Sequence, residues 1–407
     1  MESKVKRTLH TSQWVIAKVK QCFKFRNGKG FSGVLKSFPD EEFCHPVYGG
    51  NGIIGYSDKY LLEEPTIIVG RVGEYCGNVF KTQNKSWVTD NAMMVCDILL
   101  EDYDIDFWVV MLNSLSFNHY SDSTGQPKIT QGGIGAISFK YPSEKEEQTA
   151  IANILSKVDE AIASIQNSIA AAERLKKSLM QNLLTGKMKP DGTFRTPEEF
   201  YIDENFGKVP VGWEVKRIKD FGEVQTGKTP PTDEPEVFSD KENGFMFVTP
   251  GDLDVAKYIE ETERYVSEKG IRYSYVLPKG TVCEVCIGST IGKIGITTAT
   301  CCSNQQITSV IVNNEHDAEY LYYAMLSRRE HFKSVAGINA TPQINKSGYS
   351  KYRVLCPKDK LEQIAIAKGI SSVDKSINEQ KQKIKYLKRL KKSLMQNLLT
   401  GKVVINI

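Results

Sequence analysis

Charge of one sign, long apolar runs and clustered histidines are all scarce in this sequence. Lys and Arg exceed Asp and Glu by only four in 407 residues, so composition alone does not single out a polyanion binder. The N-terminal residues are basic but hold no apolar run, and no stretch approaches the ~20 apolar residues of a membrane helix. A soluble, cytoplasmic protein is expected. The five histidines stand apart from one another, His45 and His331 included, and no Ser/His/Asp grouping can be assembled from them. The nine cysteines, odd in number and scattered from Cys22 to Cys356, fit a reducing compartment better than a disulfide framework. An Asn-Pro-Pro-aromatic methyltransferase signature is absent, as is a glycine-rich dinucleotide loop after a strand. Catalysis has no evident seat in the chain. At 40% hydrophobic and 25% charged residues, the composition suits a globular protein with two or more domains.

What the chain does have is a repeat. RLKKSLMQNLLTGK occupies Arg174 to Lys187 and again Arg389 to Lys402, an offset of 215. The register holds upstream: Glu147-Gln148 falls on Glu362-Gln363, Val158-Asp159 on Val373-Asp374, Pro142 on Pro357, and Gly73 and Gly77 on Gly288 and Gly292. Trp14 to Lys29 can also be laid on Trp213 to Lys228, at an offset of 199. The chain is two copies of one unit.

The near-identical part of each unit reads as a long helix. Its apolar positions are Ile151, Leu155, Val158, Ile162, Ile165, Ile169 and Ala172 in the first copy, spaced alternately by four and three. The second copy gives Ile366, Ile370, Val373, Ile377, Gln380, Ile384 and Leu387. That spacing is a coiled-coil seam. A further three-residue step to Leu175 and Leu390 predicts local overwinding. Ser143 with Glu146, and Asp359 with Glu362, have capping-box spacing, and Gly186 and Gly401 sit where a C-terminal glycine belongs. The parts are therefore a globular region over 1–142, a helical segment over 143–187, a turn-broken linker over 188–212, a second globular region over 213–357 and a second helical segment over 358–402. Both globular regions read as short strands and turns, so the fold class is α+β. Two similar strand-rich domains are joined by two long helices, expected to pack as an antiparallel coiled coil with a pseudo-twofold internal repeat.

Basic residues are unevenly placed. Met1 to Lys36 holds nine (Lys4, Lys6 and Arg7 among them) against the single acid Glu2, and Asn378 to Lys392 holds seven against Glu379. Either run suits phosphate or a solvated face. Two motifs invite enzymatic readings. Gly222 to Thr229 satisfies the phosphate-loop pattern GxxxxGK[ST], but Pro230, Pro231 and Pro235 follow where a helix would be needed. Cys283, Cys286, Cys301 and Cys302 have metal-like spacing, yet residues three apart on a strand face opposite sides. No metal site is expected.

Several stretches resemble the specificity subunit of type I restriction-modification systems: the duplicated LKKSLMQNLLTGK, Val209-Pro-Val-Gly-Trp-Glu, Val224-Gln-Thr-Gly-Lys-Thr-Pro, Pro46-Val-Tyr-Gly-Gly-Asn-Gly-Ile-Ile-Gly-Tyr, and Gly288-Ser-Thr-Ile-Gly-Lys-Ile-Gly with Asn304-Gln305. The first unit departs from the pattern, with Thr11-Ser-Gln-Trp at its start. The resemblance implies a non-catalytic DNA-recognition subunit. Each globular region would be a target recognition domain reading half of a bipartite double-stranded DNA site. The helices would set the spacing and bind two methyltransferase subunits, with restriction subunits in the full complex. It further implies no cofactor in this chain, with S-adenosylmethionine and adenine-N6 chemistry in the methyltransferase partner. The rival reading is a non-DNA adaptor with two binding modules on a coiled-coil rod.

Base edges are read by amide, hydroxyl and cationic side chains, phosphates by cations and backbone amides. The turn-associated candidates of these types are Lys29, Arg71, Asn91, Gln126 and Lys128 in the first region. In the second they are Lys228, Lys293, Asn304, Gln305, Asn339, Thr341 and Gln343. Lys176, Lys177, Lys391 and Lys392 are the candidates for partner contacts on outward helix positions.

Overall fold

The computed structural model describes residues 13–122, 126–337 and 342–405. Two compact units form: residues up to Asn167 together with those from Gln382 onward, and Ser168–Lys381. Each unit thus contains one strand-rich region, part of its own long helix and part of the other.

Unit 1 contributes β1 (Trp14–Lys18), β2 (Phe23–Asn27), β3 (His45–Gly49), β4 (Gly52–Ser57), β5 (Ile67–Gly70), β6 (Val79–Lys81), β7 (Trp87–Val88), β8 (Ala92–Ile98) and β9 (Ser138–Pro142). A four-stranded sheet runs β2-β8-β5-β6 and a three-stranded one β4-β3-β7, while β1 pairs with β9, Trp14 opposite Pro142. Unit 2 contributes β10 (Phe200–Asp203), β11 (Gly207–Pro210), β12 (Trp213–Arg217), β13 (Gly222–Thr226), β14 (Phe238–Ser239), β15 (Phe245–Val248), β16 (Tyr258–Ile259), β17 (Arg264–Val266), β18 (Val282–Val285), β19 (Ile294–Thr297), β20 (Cys301–Ser303), β21 (Ile307–Val312) and β22 (Arg353–Pro357). Its main sheet, β13-β21-β18-β19-β16, repeats the first four strands in the same order and adds β16. Its second sheet is rebuilt as β14-β17-β15-β20, and β12 pairs with β22, Trp213 opposite Pro357. The linker forms more structure than expected, because β10 and β11 make an antiparallel hairpin within it.

The long helices run Lys145–Leu183 and Lys360–Leu398. Gly186 and Gly401 follow with φ of +67° and +70°, a left-handed conformation that ends a helix without a Cβ clash. The start signals differ between the copies. Asp359 caps as expected, accepting from the Leu361 amide at 2.9 Å, but the Ser143 hydroxyl donates to the Gln13 carbonyl at 2.9 Å instead. Glu362 closes no capping box, because its carboxylate is taken by Arg195 at 2.5 Å. A buried glutamine roots each helix. Gln148 donates to Pro142 O and accepts from the Asp104 amide, and Gln363 makes the same bonds to Pro357 O and the Asp317 amide, all at 2.9–3.0 Å. Asp104 and Asp317 each cap the short helix that follows.

Within each unit the long-helix segments pack antiparallel. In unit 1, Ile151, Ala152 and Leu155 share a core with Leu398 and Leu399, while Lys391 pairs with Asp159. In unit 2, Lys381 pairs with Glu173 and Lys176 with Asp374. Seam positions Ile151, Leu155, Ile162, Ile169, Ile366, Ile370 and Ile377 are buried. Val158, Ile165, Val373, Gln380, Ile384 and Leu387 are half-buried. The three-residue step fails at Leu175, which is 52% exposed, whereas Leu390 in the second copy is half-buried. The heptad continues unbroken from Ile169 and Ala172 through Lys176, whose charge is matched by Asp374. A lysine with a long apolar stem and an acid opposite can occupy a seam position.

Candidate nucleic-acid interface

One edge of the main sheet is built the same way in both units. In unit 1 the chain leaves β5 and bends through Arg71-Val72-Gly73, where Gly73 has φ +94°. Arg71 N donates to Asn91 O, Ile129 N donates to Arg71 O, and Gly73 N donates to Pro127 O, each at 2.9 Å. Unit 2 repeats all three bonds 215 residues on: Cys286 N to Gln306 O, Ile344 N to Cys286 O, and Gly288 N to Pro342 O, at 2.8–2.9 Å. Gly288 has φ +99°. A side chain at either glycine is disfavoured by that backbone, and its Cβ would approach an amide, Gln126 Nε2 at 3.8 Å or Gln306 Nε2 at 3.4 Å. A fourth shared bond ties the end of the first sheet strand to the same edge, Gly28 N to Ala92 O and Gly227 N to Ile307 O, at 2.9 Å.

This frame gathers residues far apart in sequence. Arg71, Asn91, Gln126 and Lys128 meet through those bonds and the Val72–Lys128 bridge, and Lys29 joins them at the end of β2. All are exposed except the half-buried Arg71, whose Nη1 donates to Asp90 O at 3.1 Å. In unit 2, Lys228, Asn304, Gln305 and Gln343 share the edge, with Gln343 bridging Ile287. Asn304 is half-buried and occupied by the fold: it donates to Gln306 Oε1 at 3.0 Å and accepts from Gln306 N at 3.1 Å. Gln305 Oε1 accepts from Thr229 Oγ1 at 2.5 Å. Lys293 turns to the Pro250 carbonyl at 3.4 Å and is half-buried. Asn339 and Thr341 lie outside the described residues.

Sequence reasoning passed over Gln306, the counterpart of Asn91. The 215 offset pointed to it. It also passed over two polar pairs on the same edge, Gln131 with Asn27 at 3.5 Å and Lys346 with Gln225 at 3.3 Å. These pairs link a short helix to a strand end, contacts that no local pattern signals.

The two enzymatic motifs have structural roles. Gly222–Thr226 is strand β13, continuing as loop. Cys283 and Cys301 share one core, while Cys286 and Cys302 point into two others. Burial pushes the Cys283 thiol up to about 12 and Cys302 up to about 11, which opposes the thiolate a metal needs. Among the described residues no group of acids, histidines and cysteines is arranged to hold a metal ion.

Residues 11–174 and 210–389 each match the type I restriction modification DNA specificity domain. The chain belongs to this family. It has two specificity domains, the organisation of a type I specificity subunit. The HindI specificity subunit of Haemophilus influenzae is 30% identical over 200 residues, 48% of this chain and 42% of that protein. The MjaVIII specificity subunit of Methanocaldococcus jannaschii is 25% identical over 367 residues, 86% of this chain and 80% of that one. The chain spans less than half the length of several curated relatives it matches, 42% of the HindI subunit and 47% of the MjaIX subunit. The crystal structure of a type I restriction-modification S subunit from M. genitalium shares the fold, with a TM-score of 0.64 at 16% identity over 96% of this chain and 97% of that one.

In this specificity subunit the identical RLKKSLMQNLLTGK stretches line equivalent cavities, each of about 790 Å³. In unit 2 the cavity lies between Lys176, Lys177, Met180 and Gln181 and the helix Ala318–Ser327. In unit 1 it lies between Lys391, Lys392, Met395 and Gln396 and the helix Ile105–Ser114. Lys177 and Lys392 are exposed, whereas Lys176 and Lys391 are held by Asp374 and Asp159 at 2.5 and 2.7 Å. No helix among the described residues is long and apolar enough to cross a membrane.

Proposed function

We propose that each unit reads one half of a bipartite double-stranded DNA site through the edge around Gly73 or Gly288. The observation that carries this reading is the set of four backbone hydrogen bonds repeated at corresponding positions while the side chains they present differ. A constant frame with variable amides and cations is what two separate half-site readers need, since phosphate contacts position and base contacts specify. The long helices set the half-site spacing: 39 residues at 1.5 Å span ~58 Å, on the order of 15 base pairs. The two cavities lined by identical helix ends suit two copies of one partner, a methyltransferase subunit. S-adenosylmethionine and adenine-N6 chemistry then belong to that partner, and restriction subunits complete the assembly.

The test is methylome mapping in a host lacking this gene, complemented with the gene and its neighbouring methyltransferase gene. A new bipartite N6-methyladenine motif, with halves that change separately when each variable region is exchanged, is the expected result. No new motif, with both proteins expressed and assembled, would favour an adaptor that does not recognise DNA.

A further inference from the structure

Asn91 and Gln306 stand at equivalent places on the two edges, their carbonyls accepting from Arg71 N and Cys286 N, but their side chains are held differently. In unit 2, Gln306 N donates to Asn304 Oδ1 at 3.1 Å, which fixes that atom as an acceptor and leaves Asn304 Nδ2 to donate to Gln306 Oε1 at 3.0 Å. Gln306 Nε2 then faces Ile287 O, to which it donates at 3.5 Å. A backbone N–H anchors one end of this chain and a backbone carbonyl the other, so turning either amide over sets donor against donor. Asn304 is itself fixed in place. Its N donates to Val248 O at 3.1 Å and its O accepts from Ile307 N at 3.2 Å. In unit 1 the same backbone bonds are made by Thr89, to Tyr48 O at 2.9 Å and from Ala92 N at 3.1 Å. The lock is missing there. The Thr89 hydroxyl is buried with no hydrogen-bond partner, and among the described residues the exposed Asn91 amide has none either.

We propose, on the reading that this edge contacts DNA, that Asn304 is a positioning residue which commits Gln306 to an A·T pair in the half-site of unit 2. In the major groove adenine offers a donor at N6 and an acceptor at N7, whereas guanine offers acceptors at both O6 and N7. An amide that can turn serves either purine: its oxygen and nitrogen together meet adenine, and its NH2 group alone meets guanine. An amide that cannot turn serves one. With one site on each atom already used, the half-buried Gln306 keeps an Oε1 lone pair and an Nε2 proton, the complement of adenine N6 and N7. Against guanine the fixed Oε1 would face O6, acceptor against acceptor. Asn91, without a counterpart of Asn304, keeps the choice of purine.

The experiment is competition binding of the assembled complex to its mapped DNA site at fixed salt, with single base-pair changes through the half-site that follows the second variable region. Gln306→Ala locates the position, which is expected to be an A·T pair. Wild type prefers A·T over G·C there by about tenfold or more, and Asn304→Thr, which imports the unit 1 residue, lowers the preference to under about threefold while the other positions keep theirs. Asn304→Asp gives the same result: it keeps the acceptor for Gln306 N and loses the donor to Oε1, and its added charge weakens all sequences alike and cancels in the ratio. In a Gln306→Ala background neither change adds anything. A G·C pair at the position relaxed by Gln306→Ala overturns the proposal, as does a preference that survives both Asn304 changes, or a loss spread evenly over all positions. Each of those results leaves unit 2 as the reader of its half-site. A motif indifferent to exchange of the second variable region removes that reading itself, and the proposal with it.

Discussion

Unit 1 buries Val69 and Ile134 where unit 2 buries Glu284 and Tyr349. The positions are equivalent, since Val69 pairs with Met93 and Glu284 with Thr308, 215 residues on in each case. Ile134 and Tyr349 lie in the short helices capped by Thr130 and Asn345. The same backbone therefore tolerates an apolar pair or an acid with a phenol beside the edge that carries Gly73 or Gly288. Burial pushes the Glu284 carboxyl up to about 8, and the neighbouring Tyr349 hydroxyl and Arg329 guanidinium offset only part of that shift. The helix contacts diverge similarly. Asp374, which pairs with Lys176, also accepts from Tyr323 Oη at 2.6 Å, whereas Val110 stands at the position corresponding to Tyr323 in unit 1. What is held constant is the backbone frame and the glutamine that roots each helix; what varies is the chemistry laid over it.

Removing the constant part should have the largest effect. Gln363→Ala strips partners from the buried Pro357 carbonyl and the Asp317 amide, and Gln148→Ala does the same in unit 1. Each should destabilise its own unit by about 2–5 kcal/mol, read as exchange confined to that unit, because groups left buried and unsatisfied carry the desolvation cost. Importing the apolar pair into unit 2 should sharpen the contrast. The folded-state pKa of Glu284 lies above the ordinary 4.5. The stability tied to its protonation is therefore fully present below about pH 4.5 and lost as pH rises through about 8. Unit 2 should weaken by up to ~1.4 kcal/mol per pH unit within that window. Glu284→Val with Tyr349→Ile should flatten this dependence in thermal melts and leave unit 1 unchanged.

Base discrimination should respond to Gln306→Ala and Asn91→Ala by about 1–3 kcal/mol at one position of one half-site each, measured by competition binding of the assembled complex at fixed salt. Smallest is the helix pair. Lys176→Met removes an ion pair whose side chains are 24% and 19% exposed and should cost ~1 kcal/mol. Lys391→Met, whose partner Asp159 is 52% exposed, should cost less than half of that.

The repeat, the heptad seam and the division into two strand-rich regions were legible because each is a periodicity, visible without knowing any long-range contact. The lysine in the seam was not, since Lys176 looks like a surface residue until Asp374 is seen opposite it. Turn glycines marked the shared sheet edge, and residue type alone made Arg71, Asn91, Gln126 and Lys128 candidates, which the structure brings together there. Gln306 was missed because its neighbours Asn304 and Gln305 carried the same signal, and only the fold assigns Asn304 to holding Gln306 in place. The hairpin β10–β11 was hidden by Pro and Gly in its flanks, residues that mark turns equally well inside a hairpin and in an open linker. Asn339 and Thr341 fall outside the described residues.

The central claim is that each edge governs one half-site. It is tested most directly by substituting Gln306, Gln343 and Lys346 together with alanine and mapping the bases methylated by the complex. Relaxation of one half of the motif, with the other half and the spacing intact, is the predicted result. Relaxation of both halves equally, or an unchanged motif from a fully assembled complex, would contradict it.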